Sequence, residues 1–567
     1  MASAAELFAH EARPQTGDTR KLTGAIYTPR PLAEWVAEVL AEWSYQGCRS
    51  VADFGCGEGA LLEAATAFFP QARCIGVDAD ALAVARAKRS LPKSARLITE
   101  DVLLPTGAGG SSIASYWRER LGTAPQAVIM NPPWGAAHSM SKARANTAGF
   151  SLARGQFDTY DLFCELALQV VAPGAAYAFI LPDSIFLPEH QPLREMLLRR
   201  TTLRLIARLG EGIFPNVYCG CAVIVGTAEP APATHMVECL RLAKRDRELL
   251  DSASDYSERR SELVHRVPQA RFRSDPAYRF DIDVMEQDGP VRKISSFGSA
   301  WTDPLLSRRG AEISKSGKVL VCGHCSSARP LPKTAQAHCL ACQLPLSNAL
   351  PLKIVTETPV GGGKLRPFIA GEDVRRFEVQ ASRWIRTDVK GIDYKAEPSA
   401  GSPRLLVRKT GIGLNAAIDV SGAYTNQVVF EYSLAPGNTF PFSYLHYVLG
   451  VLCSRTMFAY HLKRSGEMEW RSHPYVTQKT LAALPIPLPK RGSRMSRQAA
   501  AIAGAVAEHL RTRENDIAIE ALVAGLYGLD RSDMRWVLDV LDEAADLDAM
   551  RRLRLPSATT LEPLRVE

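Results

Sequence analysis

Between Ser50 and Gly226 short apolar runs alternate with stretches of helical spacing. Val51-Ala-Asp-Phe, Cys74-Ile-Gly-Val, Arg96-Leu-Ile-Thr, Ala127-Val-Ile-Met, Ala176-Tyr-Ala-Phe-Ile-Leu, Leu203-Arg-Leu-Ile-Ala and Ala222-Val-Ile-Val are apolar or nearly so along their length. Such runs predict strands of a parallel sheet buried on both faces. The segments from Gly59 to Phe69, Ala79 to Ser90, Tyr160 to Val171 and Pro192 to Arg200 predict the intervening helices. The alternation predicts a doubly wound α/β domain over residues 1–230. Two prolines in Glu229-Pro-Ala-Pro-Ala-Thr can continue neither helix nor ladder, so a domain boundary is expected near residue 230. Residues 231–490 are mixed, rich in Gly and Pro and without an internal repeat, and predict an α+β domain closed by Pro485-Ile-Pro-Leu-Pro. Helical spacing returns in Ser496 to Leu510, Asp516 to Leu526 and Asp530 to Ala545, predicting a helical C-terminal segment over 491–567.

Composition narrows the class. With 46% hydrophobic and 23% charged residues in a chain of 567, a collagenous or mostly disordered polymer is excluded. The net charge of +8 is unevenly placed. Residues 1–230 hold 21 basic and 22 acidic residues, whereas the remaining 337 hold 47 and 38. Within Lys353–Lys490 the balance is 18 to 11, a surplus that suits a polyanion such as nucleic acid or a solvated basic face. The first residues have neither a basic nor an apolar leader, and no run of 18 uncharged apolar residues occurs, so a cytoplasmic protein without a membrane partner is expected. Its twelve cysteines are then expected to be reduced.

Val51-Ala-Asp-Phe-Gly-Cys-Gly-Glu-Gly is a strand that ends in a glycine-rich turn and opens a helix. Such a turn lets backbone approach a ligand at the carboxyl end of a strand, or is merely tight. Asp53, Asp78 and Asp101 fall at three successive strand ends. An acid ending the second strand is placed for a ribose hydroxyl pair, although each Asp taken singly could be a helix N-cap. The fourth strand leads into Asn131-Pro-Pro-Trp-Gly. Two prolines stiffen that loop, so the Asn131 amide and the Pro132 carbonyl can offer two acceptors to a planar amino group, with Trp134 as a stacking surface.

These phrases, in this order, resemble the gamma-class N6-adenine DNA methyltransferases of the TaqI type: Thr23-Gly-Ala-Ile-Tyr-Thr-Pro-Arg, then Asp53-Phe-Gly-Cys-Gly-Glu-Gly, then Asn131-Pro-Pro-Trp. The resemblance implies a Rossmann-like domain dependent on S-adenosyl-L-methionine, with Thr23, Tyr27 and Pro29 at the methionine end of the cofactor. It implies Asp53, Gly55 and Gly57 beneath that methionine, Asp78 on the ribose and Asp101 on the cofactor adenine. It makes Asn131, Pro132, Pro133 and Trp134 the catalytic loop, and Phe214, in Gly212-Ile-Phe-Pro-Asn-Val, a contact of the extruded base or else core filler. Adenine over cytosine rests on the resemblance alone.

Phe368-Ile-Ala-Gly-Glu-Asp-Val-Arg-Arg-Phe, Leu406-Val-Arg-Lys-Thr-Gly, Thr425-Asn-Gln-Val-Val, Leu449-Gly-Val-Leu-Cys-Ser-Arg, Glu469-Trp-Arg-Ser-His-Pro and Leu484-Pro-Ile-Pro resemble TaqI-like specificity domains. Their mixture of basic residues, amides and aromatics suits a surface that grips phosphates and reads base edges of double-stranded DNA. Arg375-Arg376 and Arg408-Lys409 are candidate phosphate contacts. Cys322-Gly-His-Cys and Cys339-Leu-Ala-Cys342 are paired knuckles, spaced for four thiolates (Cys322, Cys325, Cys339, Cys342) around one structural Zn2+. The resulting expectation is a site-specific adenine methylase of a restriction-modification or phage-defence system. Its rivals are an RNA or protein amino-group methyltransferase and a non-catalytic DNA-binding subunit of a defence complex. The methyltransferase phrases begin by residue 23 and no PD…ExK or HNH pattern follows, so cleavage is expected from a separate endonuclease.

Overall fold

The computed structural model describes residues 27–107, 112–135, 149–154, 157–215, 217, 219–285, 288–331, 338–346, 349–359, 363–395, 400–411, 413–465, 475–514 and 516–545. Thr23 and the phrase Glu469-Trp-Arg-Ser-His-Pro lie outside them. The chain forms two compact units, Met1–Asp283 and Val284–Glu567.

In the first unit, strands β1 (Ser50–Phe54), β2 (Arg73–Asp78), β3 (Arg96–Thr99), β4 (Ala127–Met130), β5 (Ala176–Pro182), β6 (Thr202–Gly210), β7 (Cys221–Thr227), β8 (Met236–Arg241) and β9 (His265–Pro268) form one sheet. Their order is β3-β2-β1-β4-β5-β7-β6-β8-β9. Neighbours run parallel except β7, antiparallel to β5 and β6, and β9, antiparallel to β8. Alternate residues enter two different cores. Val51, Ala127, Ile129, Ala178 and Ile180 pack with helices α1 (Arg30–Glu42) and α2 (Ala60–Phe68). Ala52, Phe54, Val128, Met130 and Phe179 pack with α4 (Ile113–Leu121), α5 (Thr159–Val170) and α6 (Gln191–Arg200). Helix α3 (Ala81–Ser90) follows β2. Burial on both faces is why these strands read as continuous apolar runs. The strand order reverses between β1 and β4, which opens a crevice at their carboxyl ends.

The proline stretch at 229–234 ends β7, yet the chain then re-enters the same sheet. β8 pairs parallel with β6, with Leu205 opposite Glu238, and Val237, Cys239 and Leu240 are buried. The division therefore falls between Asp283 and Val284 rather than near 230. A proline run stops a strand without showing whether the chain leaves the domain.

In the second unit, Leu305–Arg309, Val429–Leu434, Arg404–Arg408 and Ala416–Asp419 form a sheet. The helices Ser443–Leu452, Arg494–Thr512 and Ile517–Leu526 share one core with it, through Val448, Leu449, Ile502, Val506, Ile519 and Val523. The expected C-terminal helices thus form, and they belong to this unit. A second sheet joins Val355–Thr356, Arg383–Arg386, Leu365–Ile369 and Tyr424–Thr425. A three-stranded ribbon joins Ala328–Pro330, Lys318–Val321 and Leu350–Lys353. No described helix is long and apolar enough to cross a membrane.

Candidate functional site

The crevice is floored by the turn after β1. Gly55 and Gly57 have φ of +101° and +50°, a region an L side chain rarely adopts. The Gly55 and Cys56 N–H groups donate to the Val77 carbonyl at 2.7 and 3.0 Å, and the Gly57 N–H donates to Asp78 Oδ2 at 2.7 Å. A Cβ on Gly55 would lie 3.5 Å from Phe163 and 3.8 Å from Pro133, and one on Gly57 would lie 3.8 Å from the Tyr27 ring. The turn thus meets the proline loop on one side and Tyr27 on the other.

The three strand-end carboxylates differ. Asp53 is buried, and its Oδ1 has no hydrogen-bond partner among the described residues. Burial, and then the neighbouring Asp78, push its carboxyl well above the usual range. Burial also raises Asp78, against the hydrogen bonds it accepts from Asp80 and Gly57. Asp101 Oδ1 accepts from Leu103 and Leu104 N–H, both at 2.9 Å. None of the three is a helix N-cap: α2 starts from Gly59, α3 from Asp80 and α4 from Ser112.

β4 delivers Asn131 to the same crevice. The Asn131 Nδ2 donates to Thr28 Oγ1 at 3.1 Å, which turns the Oδ1 arm of the planar amide away from Thr28. Pro132 and Pro133 follow, and the Gly135 N–H donates to Asp158 Oδ2 at 3.2 Å at the start of α5. The Trp134 ring meets Phe214 edge-on, with centroids 5.1 Å apart and planes at 81°. Both rings are buried, and Trp134 Nε1 has no hydrogen-bond partner among the described residues. The loop that carries Phe214 is anchored at its return, where the Asp183 N–H donates to the Gly220 carbonyl at 2.7 Å. A buried ion pair of Arg208 with Asp183, 3.8 Å, ties β6 to the end of β5. Sequence reasoning missed Thr28, Asp158 and Phe163. Thr28 adjoined a named motif residue, whereas Asp158 and Phe163 carried no signal beyond helical spacing.

The four cysteines converge. Their Sγ atoms all lie within 4.8 Å of one another, with Cys322–Cys342 at 3.8 Å and Cys325–Cys339 at 3.5 Å. A tetrahedral zinc with bonds of about 2.3 Å requires sulfur separations of about 3.8 Å. The knuckles match each other. His324 N–H donates to Cys322 Sγ and Ala341 N–H to Cys339 Sγ, both at 3.4 Å, and each knuckle ends in a left-handed residue, Ser326 (φ 57°) and Gln343 (φ 60°). Backbone N–H groups hold the Cys339 thiol down to about 6.

Among the candidate phosphate contacts, Arg376 is taken internally. Its guanidinium bonds the Cys453 carbonyl at 2.7 Å and pairs with Asp516 and Glu520, so its charge braces the helices rather than facing a polyanion. Arg309, Arg375, Arg408 and Lys409 have no ion-pair partner among the described residues. Lys409 lies 5.9 Å from the Tyr475 ring centre, and burial and Arg309 hold its ammonium below the ordinary value.

Comparison with known proteins follows the same division. Residues 126–214 match the family described as Eco57I restriction-modification methylase, and residues 366–486 match the TaqI-like C-terminal specificity domain. A trans-aconitate 2-methyltransferase of Acidovorax sp. (strain JS42) is 26% identical over 161 residues, 28% of this chain and 48% of the relative. The match thus spans about half the length of that curated protein. Among solved structures, the type IIL restriction-modification enzyme MmeI in complex with DNA superposes with a TM-score of 0.54 at 12% identity, over 94% of this chain and 80% of that one. A type I restriction-modification methyltransferase subunit from Streptococcus thermophilus covers 45% of this chain and 58% of its own, at 17% identity and TM-score 0.36. The chain thus carries one segment similar to Eco57I restriction-modification methylases and another similar to TaqI-like C-terminal specificity domains.

Proposed function

We propose that this protein is the DNA methyltransferase of a restriction-modification system, acting on the exocyclic N6 of adenine in double-stranded DNA. The observation that carries the reading is the Asn131 carboxamide, held by Thr28 beside the Pro132 carbonyl and walled by the Trp134–Phe214 pair, at the mouth of the glycine-rich turn. The target base must leave the helix to reach such a loop. Asn131 Oδ1 and the Pro132 carbonyl then accept the two N–H groups of its amine, and they hold it more strongly as it gains positive charge. Trp134 and Phe214 bound the ring.

The crevice fits S-adenosyl-L-methionine. A buried Asp53 oxygen without a partner among the described residues suits a ligand that carries cationic groups, and Gly55 and Gly57 put no side chain of their own in its way. Tyr27 and Pro29, with Thr23, would flank its methionine end, Asp78 its ribose and Asp101 its adenine. When bound, it supplies the electrophilic methyl group. Cys322, Cys325, Cys339 and Cys342 would hold one structural Zn2+, which clamps the ribbon.

The test is methylation sequencing of DNA from a host that expresses the chain. N6-methyladenine at one short sequence, absent with Asn131→Ala, supports the reading. Unmodified DNA alongside methylated RNA or protein refutes it.

A further inference from the structure

We infer that the cysteine-clamped ribbon is a second DNA-contacting element, separate from the matched specificity segment; the inference rests on the DNA methyltransferase reading. The ribbon strands, 318–353, lie outside both family matches. From Ile313 to Thr356 the sequence has no Asp or Glu and five basic residues, Lys315, Lys318, Arg329, Lys333 and Lys353. Such a run is far from the mixed charge of an ordinary soluble surface. Lys315 pairs with Glu372 at 3.3 Å, and four thiolates around one Zn2+ would carry two net negative charges, so the run keeps a modest positive charge that Lys318 and Lys353 expose.

The register concentrates that charge on one face. Lys318 stands opposite Lys353, and Leu320 stands opposite both Arg329 and Pro351. Cross-strand partners share a face, so Lys318, Arg329 and Lys353 lie on the same side, while Val319, Ala328 and Leu352 pack into a core on the other. Lys318 and Lys353 are exposed and have no ion-pair partner among the described residues. Like charges directly opposite each other destabilise a strand pair, and an approaching phosphate backbone removes that cost.

The ribbon is also rigidly mounted. The Ile354 N–H donates to the Gly317 carbonyl at 2.8 Å and the Ala328 N–H to the Lys390 carbonyl at 2.7 Å. Val355 continues from the ribbon into the sheet of the matched segment, opposite Ile385. A basic face held this way prolongs the segment's grip along the duplex.

The experiment measures binding of the zinc-loaded full chain to a mixed-sequence duplex of about 40 base pairs as salt is varied. Lys318→Glu and Lys353→Glu, singly and together, are compared with the parent. The single exchanges place opposite charges across the strand pair, so their melting temperatures should not fall, which separates weaker phosphate binding from misfolding. For the double variant, the slope of log affinity against log salt should flatten by roughly 0.9 for each phosphate no longer neutralised, with affinity at least about tenfold lower near 0.1 M salt. Variants that keep the parent's slope and affinity would overturn the inference and leave the ribbon to an acidic protein partner. A parent that binds no duplex DNA at all would instead overturn the methyltransferase reading.

Discussion

The two sites of this protein are built in opposite ways. The cysteine site closes within 21 residues, each knuckle made by one hairpin and its own N–H to sulfur bonds. The crevice at β1 and β4 gathers Thr28, Asp53, Gly57, Asn131, Phe163 and Phe214 from separate parts of the first unit. A locally closed site depends on a few neighbouring residues. A site assembled over long distance depends on many small contacts, and a single substitution shifts its geometry by degrees. Charge divides the two regions in the same manner. The crevice holds Asp53 and Asp78 with a raised proton affinity, whereas the ribbon has no carboxylate at all.

The largest effect is expected at the local site. Cys339→Ser should abolish stoichiometric zinc and unfold the ribbon, since structural zinc contributes on the order of 10 kcal/mol. Metal analysis with limited proteolysis of the second unit checks it, and full zinc with an unchanged cleavage pattern would remove the contrast. At the assembled site, Asn131→Ala should lower methyl transfer by roughly 100-fold or more, with cofactor affinity nearly intact. Single-turnover rates and calorimetry read the two separately, and a rate above about a tenth of the parent's would dismiss the assigned role.

A smaller change should come from Thr28→Val, which frees the Asn131 amide to rotate. It should lower kcat by about tenfold while KM for DNA stays close to the parent's, and Thr28→Ser should restore most of the rate. Equal losses in Val and Ser variants would make Thr28 a packing residue. The smallest effect is in pH. A carboxyl raised in the folded state stabilises it below the ordinary carboxylate value near 4, and that contribution is lost as pH rises through the raised value. The ligand-free first unit should therefore lose melting temperature as pH climbs above about 4, and Asp53→Asn should flatten the decline. Identical profiles for the two would show that Asp53 carries no such strain.

Much of the architecture was legible in the residues. Runs such as Ala127-Val-Ile-Met become strands because both faces are covered, so nearly every position is apolar. The C-terminal helices are where their spacing put them. The boundary near 230 was not, because a proline stretch marks the end of β7 whether the next strand leaves the sheet or rejoins it. The Arg375-Arg376 pair shows the same limit. One guanidinium is exposed and the other spans Cys453, Asp516 and Glu520, residues far along the chain.

By itself the sequence determined what local chemistry can specify: the strand-and-helix alternation, the glycine turn, the Asn131-Pro-Pro-Trp loop and the paired cysteine knuckles. These depend on backbone freedom, ring rigidity and ligand spacing within a few residues of one another. Only the tertiary structure decided which side chains face which. It set Thr28 against Asn131 and Phe214 against Trp134, left Asp53 Oδ1 buried without a partner among the described residues, and aligned Lys318 with Lys353 on one open face. Those pairings follow from strand order and register, which packing of the whole sheet selects and no short stretch of chain encodes.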